Sequence, residues 1–125
     1  MSHSILLVDD HVHILRVMQK NLSSNGYLTE TAHNGADAWE KLQQQAFDAI
    51  VSDFEMPLLN GEELIQRVHA LYQPPPLIVM VTGKPDAALQ AKIENYPNTQ
   101  FQTKPISLSL LKGIFATYFA EFDEK

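Results

Sequence analysis

A parallel α/β sheet with helices on both faces is the fold class predicted by this 125-residue sequence. Three observations predict it. Short, continuous apolar runs recur along the chain, as they do in strands buried on both faces. Helical apolar stripes separate them, which gives the strand–helix alternation of a crossover-connected sheet. Two further strand candidates mix polar with apolar residues, as sheet edges do.

The elements follow in order. "ILLV" at 5–8 is the first strand, and Leu15, Met18 and Leu22 then share one helical face. "YLTETA" at 27–32 is a partly wetted edge strand. Asn34 is an N-cap for a second helix whose face carries Ala38, Trp39, Leu42 and Ala46. "FDAIV" at 47–51 is the third strand. Asn60 with Glu63 has the spacing of a reciprocal cap, and Leu64, Ile65, Val68, Leu71 and Tyr72 give the cleanest helical stripe. "QPPP" at 73–76 stops that helix. "LIVMV" at 77–81 is the fourth strand, Asp86 to Asn95 a short and weak helix, and "TQFQT" at 99–103 the second edge. Ser107 caps a last helix with Leu111, Ile114, Phe115, Tyr118, Phe119 and Phe122. Three buried strands between two edges give the order 2-1-3-4-5, a flavodoxin-like doubly wound (βα)5 arrangement with right-handed crossovers. A Rossmann half needs a glycine-rich first turn, and "VDDHVHI" has none.

Composition narrows the function. The length suits one domain over residues 1–125. Net charge is −6 with no basic cluster, which disfavours a nucleic-acid surface. Cysteine is absent, so there is no disulfide frame and no thiolate metal site. The start lacks a signal-peptide pattern, and no apolar stretch is long enough to span a membrane. A cytoplasmic location is expected.

Ligands of such sheets bind beyond the carboxyl ends of the strands, where strand order reverses. Strand 1 ends in Asp9 and Asp10, strand 3 in Asp53, strand 4 in Thr82 and Gly83, and strand 5 in Lys104 and Pro105. Singly, each has an ordinary reading as a cap, a turn residue or a solvated lysine. Jointly they put three acids, a hydroxyl and an ammonium at one sheet edge. Clustered carboxylates repel, and a hard cation relieves that repulsion. Mg²⁺ is expected, with Mn²⁺ as a substitute. The five histidines show no zinc spacing and read as surface residues, with His11 near the crevice rim.

"LVDDH", "DFEMPLLNG", "VTG" and "TKP" match, in order and spacing, the receiver domain of bacterial two-component response regulators, chemotaxis-regulator-like, across the whole chain. The resemblance implies that Asp53 accepts a phosphoryl group. It implies Asp10 as a direct Mg²⁺ ligand, Asp9 as a ligand acting through water, and a backbone carbonyl to the metal at Glu55. It casts Thr82 as the switch hydroxyl, Lys104 as the phosphoryl-binding lysine and Phe101 as the switch aromatic, which turns inward when Thr82 moves. The Lys104–Pro105 bond is expected cis. Partners would be a sensor histidine kinase or histidine phosphotransfer protein, and a downstream target on the face of helix 4, strand 5 and helix 5. The chain would be no enzyme, though it would assist its own phosphorylation and dephosphorylation.

Some residues depart from the pattern. Glu55 borders the phosphoryl position, and pairing with Lys84 is expected to set how long the phosphoryl group lasts. "ENYPNTQF" lacks a Gly-Ala pair common before strand 5, so helix 4 is expected to be short. Tyr118 and Phe122 suit an exposed patch for a homodimer or partner. Met1 and the tail "EFDEK" favour a stand-alone receiver over an excised one. Two rival readings remain. A receiver-like binding module without phosphotransfer sits poorly with the full acceptor set. A Mg²⁺-dependent phosphohydrolase lacks a cap-sized insertion. Flavin would meet repulsion from Asp9 and Asp10.

Overall fold

The computed structural model describes residues 2–123, apart from the side chains of Phe122 and Asp123. Five strands alternate with five helices: β1 Ser4–Val8, α1 Val12–Ser24, β2 Leu28–Ala32, α2 Gly35–Gln44, β3 Ala49–Asp53, α3 Gly61–Leu71, β4 Leu77–Thr82, α4 Ala87–Glu94, β5 Thr99–Thr103 and α5 Leu108–Asp123. All neighbouring strands pair in parallel, in the order β2-β1-β3-β4-β5. This is the flavodoxin-like arrangement that the apolar runs predict.

Successive strand residues point to opposite faces, so each central strand feeds two cores. Leu6, Val8, Ile50, Ile78 and Met80 face Leu42, Leu64, Ile65, Val68 and Ile93 of α2, α3 and α4. Ile5, Leu7, Val51, Val79 and Val81 face Leu15, Met18, Leu22, Phe115 and Phe119 of α1 and α5. The edge strands β2 and β5 stay partly wetted, as their mixed sequences require. Asn34 accepts from the Asp37 N–H, and Asn60 and Glu63 form the reciprocal capping box. Asp86 caps α4, and Ser107 accepts from the Leu110 N–H at 3.2 Å.

Several expectations need correction. Ala46 is exposed and outside α2, because the chain leaves the helix at Gln45 so that Phe47 can drop into the core. Leu71 is exposed. Tyr72, which caps α3, turns inward instead and donates its hydroxyl to the Leu42 and Gln45 carbonyls. His69, read with the other histidines as a surface residue, is half-buried, its ring 5.6 Å from that of Tyr96. α4 is short, as expected, and buries only Ile93. Lys104–Pro105 is cis, as expected, and so is Gln73–Pro74. The Phe122 side chain, expected on the α5 patch, lies outside the described residues. Among these residues no helix is long and apolar enough to cross a membrane.

Candidate functional site

The parallel ladder aligns the strand ends that carry the chemistry. Asp53 is the last residue of β3 and lies opposite Val81 of β4. The Phe54 N–H donates to the Val81 carbonyl at 2.9 Å, and the Lys104 N–H to the Thr82 carbonyl at 2.7 Å. The Asp9 N–H donates to the Ala32 carbonyl at 3.1 Å. Backbone pairing thus continues one residue past the strands and sets Asp9, Asp53, Thr82 and Lys104 side by side. At Gly61 the next helix starts against this turn. A Cβ there would come within 2.5 Å of the Phe54 ring, so only glycine lets the Gly61 N–H reach the Phe54 carbonyl at 3.0 Å.

One half of the crevice is acidic. Asp53 is 3% exposed and Asp9 5%, while Asp10 is exposed. The His11 backbone N–H donates to Asp9 Oδ1 at 2.8 Å. His11 Nδ1 lies 2.9 Å from the same oxygen and 3.0 Å from Asp10 Oδ1. Carboxylates only accept, so Nδ1 carries the proton. The hydrogen bond to Asp9, then the charges of Asp10 and Asp9, hold the His11 imidazole above its ordinary pKa. Lys104 Nζ meets Asp53 Oδ1 at 2.9 Å. Burial pushes the Asp53 carboxyl above the ordinary carboxylate range. Lys104 pulls it down, and the charge of Asp9 pushes it further up. Burial lowers the Lys104 ammonium, but the Asp53 hydrogen bond and charge outweigh this and hold it above its ordinary pKa.

The other half is a set of donors. The Glu55 N–H donates to Asp53 Oδ1 at 3.2 Å. The Thr82 hydroxyl donates to Glu55 Oε2 at 2.7 Å, and the Gly83 N–H to Glu55 Oε1 at 3.0 Å. Thr82 Oγ1 accepts from the Lys84 N–H at 3.0 Å. The expected Glu55–Lys84 ion pair is absent among the described residues; Glu55 has nearer donors, and the Lys84 side chain is exposed. Phe101 is already inside, 6% exposed and 5.3 Å from the Phe54 ring, where an inward turn was expected only after Thr82 moves. A phenylalanine ring has no polar tip to leave in water, so burial against another ring is its low-energy position.

Asp9, Asp10, His11 and Asp53 each offer one ligand atom, all within 4.8 Å of one another. Three carboxylates with hard oxygens fit Mg²⁺ or Mn²⁺. The site thus sets the buried Asp53 carboxylate beside an ammonium, next to a group of acids that could hold a cation. A hollow of about 430 Å³ opens next to Asp53 and Lys104, with Ile14, Val17, Pro105 and Ile106 among its walls. Of the residues read from sequence as site candidates, Asp9, Asp10, Asp53, Glu55, Thr82 and Lys104 therefore come together, Lys84 joins them only through its backbone N–H, and Phe101 packs on Phe54. Sequence reasoning missed the His11 ring between Asp9 and Asp10 and the Glu55 bridge to β4. The only signal for the first was a histidine next to the acid pair.

Comparison with known proteins agrees with this fold. Residues 5–115 match the family model described as response regulator receiver domain. The sensor histidine kinase RcsC of Salmonella typhimurium is 33% identical over 114 residues, covering 91% of this chain and 12% of that protein. The response regulator MprA of Mycobacterium ulcerans is 30% identical over 128 residues, covering 99% of this chain and 55% of that protein. The chain therefore spans only part of the curated relatives it matches. Among solved structures, the chemotaxis response regulator CheY4 of Vibrio cholerae aligns with TM-score 0.81 and 30% identity, over 93% of this chain and 98% of that one. A CheY-like receiver domain protein of Methanospirillum hungatei aligns with TM-score 0.87 and 26% identity over the whole of both chains.

Proposed function

The chain belongs to the response regulator receiver domain family of two-component systems, and from that premise we propose that it is a phosphorylation-activated switch accepting a phosphoryl group on Asp53. The observation that carries this reading is the buried Asp53 carboxylate with Lys104 Nζ at 2.9 Å. The donor would be a phosphohistidine on a sensor kinase or phosphotransfer protein. An Asp53 oxygen attacks phosphorus, the P–N bond breaks as the P–O bond forms, and the imidazole leaves with a proton from solvent. Such transfer asks mainly for positioning and charge neutralisation.

Each residue has a part in this. The Glu55 N–H orients Asp53, and Lys104 opposes the burial that pushes its carboxyl pKa up. Lys104 then follows the charge onto the transferred oxygens. Asp9, Asp10 and Asp53 would hold Mg²⁺ or Mn²⁺, with a backbone carbonyl at Glu55 by family resemblance; when bound, the cation neutralises phosphoryl charge. The apolar wall of Ile14, Val17 and Ile106 suits the approach of an imidazole. Once formed, the acyl phosphate adds about −1.5 to −2 charges and three acceptor oxygens. Thr82 and Phe101 would relay that change to the α4–β5–α5 face, where a downstream protein or a second copy docks. On this reading residues 1–125 are one cytoplasmic receiver domain that assists its own phosphorylation and dephosphorylation.

Incubation with acetyl phosphate and Mg²⁺ tests this. A mass gain of one phosphoryl group that Asp53→Asn abolishes is expected. An unchanged mass, or a gain that survives Asp53→Asn, would refute the assignment.

A further inference from the structure

We infer that Glu55 is a positioning residue that acts as an internal anion, holding the donors a phosphoryl group on Asp53 would use until that group displaces it. The inference deepens, and rests on, the reading of Asp53 as acceptor. Four donors line the crevice: Lys104 Nζ and the Glu55 N–H, and, at the end of β4, the Thr82 hydroxyl and the Gly83 N–H. The first two already point at Asp53. The other two are taken by a single carboxylate, one on each Glu55 oxygen, at 2.7 and 3.0 Å.

Thr82 has a single hydroxyl proton, and Glu55 receives it. Its lone pair is also used, by the Lys84 N–H at 3.0 Å. The hydroxyl therefore cannot donate to a phosphoryl oxygen without leaving Glu55. The Gly83 N–H is under the same constraint. Gly83 has no side chain to fill the space between these groups; a Cβ there would lie 3.7 Å from Lys104 Cδ and 4.0 Å from Glu55 Oε1. An incoming phosphoryl group needs donors for three oxygens. It also brings negative charge next to the Glu55 carboxylate, and like charges disfavour sharing a site. Glu55 is only partly buried, so its side chain has a path to solvent.

Activation is then an exchange of anions. The carboxylate leaves, and the Thr82 hydroxyl and Gly83 N–H turn to the phosphoryl oxygens. Lys84 enters this arrangement through its backbone N–H on Thr82, and Glu55 answers to the backbone and hydroxyl of the β4 end.

The test uses the full chain with Mg²⁺ and beryllofluoride, a phosphoryl mimic present in a solved receiver relative. Glu55→Ala is expected to bind beryllofluoride about tenfold more tightly than wild type, equivalent to about 1.4 kcal/mol. Glu55→Gln keeps the shape and one acceptor but not the charge, so its affinity should fall between the two. A metal-free readout accompanies this. Without any anion, the Gly83 amide proton resonance should move upfield in Glu55→Ala, and less in Glu55→Gln. Unchanged affinity in Glu55→Ala, with Asp53→Asn still abolishing binding, overturns the inference and leaves the acceptor reading intact. An unmoved Gly83 resonance overturns the inference by itself. Beryllofluoride binding that survives Asp53→Asn removes the acceptor reading and the inference with it.

Discussion

The two halves of the Asp53 crevice are built from the same kinds of atoms and stand in opposite states. In the acidic half, Asp9, Asp10 and Asp53 crowd together with only Lys104 and the His11 ring to offset them. In the donor half, the Thr82 hydroxyl and Gly83 N–H already have a carboxylate between them. One half carries repulsion that is only partly offset, and it gains from a cation. The other is satisfied and must give something up to accept a phosphoryl group. A phosphoryl acceptor needs both, because the transferred group is itself an anion that has to be neutralised on one side and hydrogen-bonded on the other.

The sharpest way to break this comparison is at Lys104, which bridges the halves. Lys104→Ala removes the one cation on Asp53 and a donor for the transferred oxygens. The initial rate of phosphorylation by acetyl phosphate is expected to fall about 100-fold. Lys84→Ala, by contrast, should leave it unchanged, since Lys84 reaches neither half with its side chain. Equal losses for the two lysines would mean that the crevice works by general positive charge rather than by the Lys104–Asp53 contact.

A smaller effect probes the repulsion. Burial, and to a smaller extent the charge of Asp9, push the Asp53 carboxyl up, so the folded protein holds that proton more tightly than the unfolded chain does. Stability from this group is therefore present below the ordinary carboxylate pKa and is lost as pH rises through the raised one. Asp9→Asn should raise metal-free stability at neutral pH by on the order of 1 kcal/mol. The gain should shrink in acid, and Mg²⁺ should raise the Tm of wild type more than that of the variant. Thermal melts with and without Mg²⁺ across pH would check both; a variant less stable than wild type at neutral pH would contradict the repulsion.

The smallest effect separates the crevice from the rest of the molecule. Burial lowers the pKa of His69, and its Nε2 is enclosed without a hydrogen-bond partner among the described residues. The folded state binds fewer protons here, so stability is lost as pH falls below the ordinary histidine value. His11, raised by its two acids, has the opposite slope. His69→Phe should thus remove an acid-side loss of under about 1 kcal/mol and leave the Mg²⁺ response untouched. Denaturant titrations at pH 7 and pH 5 would show this, and an unchanged difference between them would assign the slope elsewhere.

Much of the site was legible in the sequence because the fold places strand ends together. Once the apolar runs order the strands, Asp9, Asp53, Thr82 and Lys104 must share one edge. Element ends were less legible. Leu71 and Tyr72 are both apolar enough for the stripe, and only the end of α3 decides that the tyrosine turns in. His69 read as a surface residue because its partner, Tyr96, lies on a different segment.

What the sequence by itself determined is therefore the strand order, the capped helices and the identity of the groups at the crevice. Each follows from local periodicity or from a residue next to a strand end. Only the tertiary structure decided which donor meets which acceptor. Glu55 has Lys84 as a plausible partner in sequence. In space it instead lies across from the end of β4, where a hydroxyl and an N–H stand closer than any ammonium. Hydrogen bonds depend on distances of a few tenths of an ångström, and such distances are set by the packing of β3 against β4 and not by the spacing of letters.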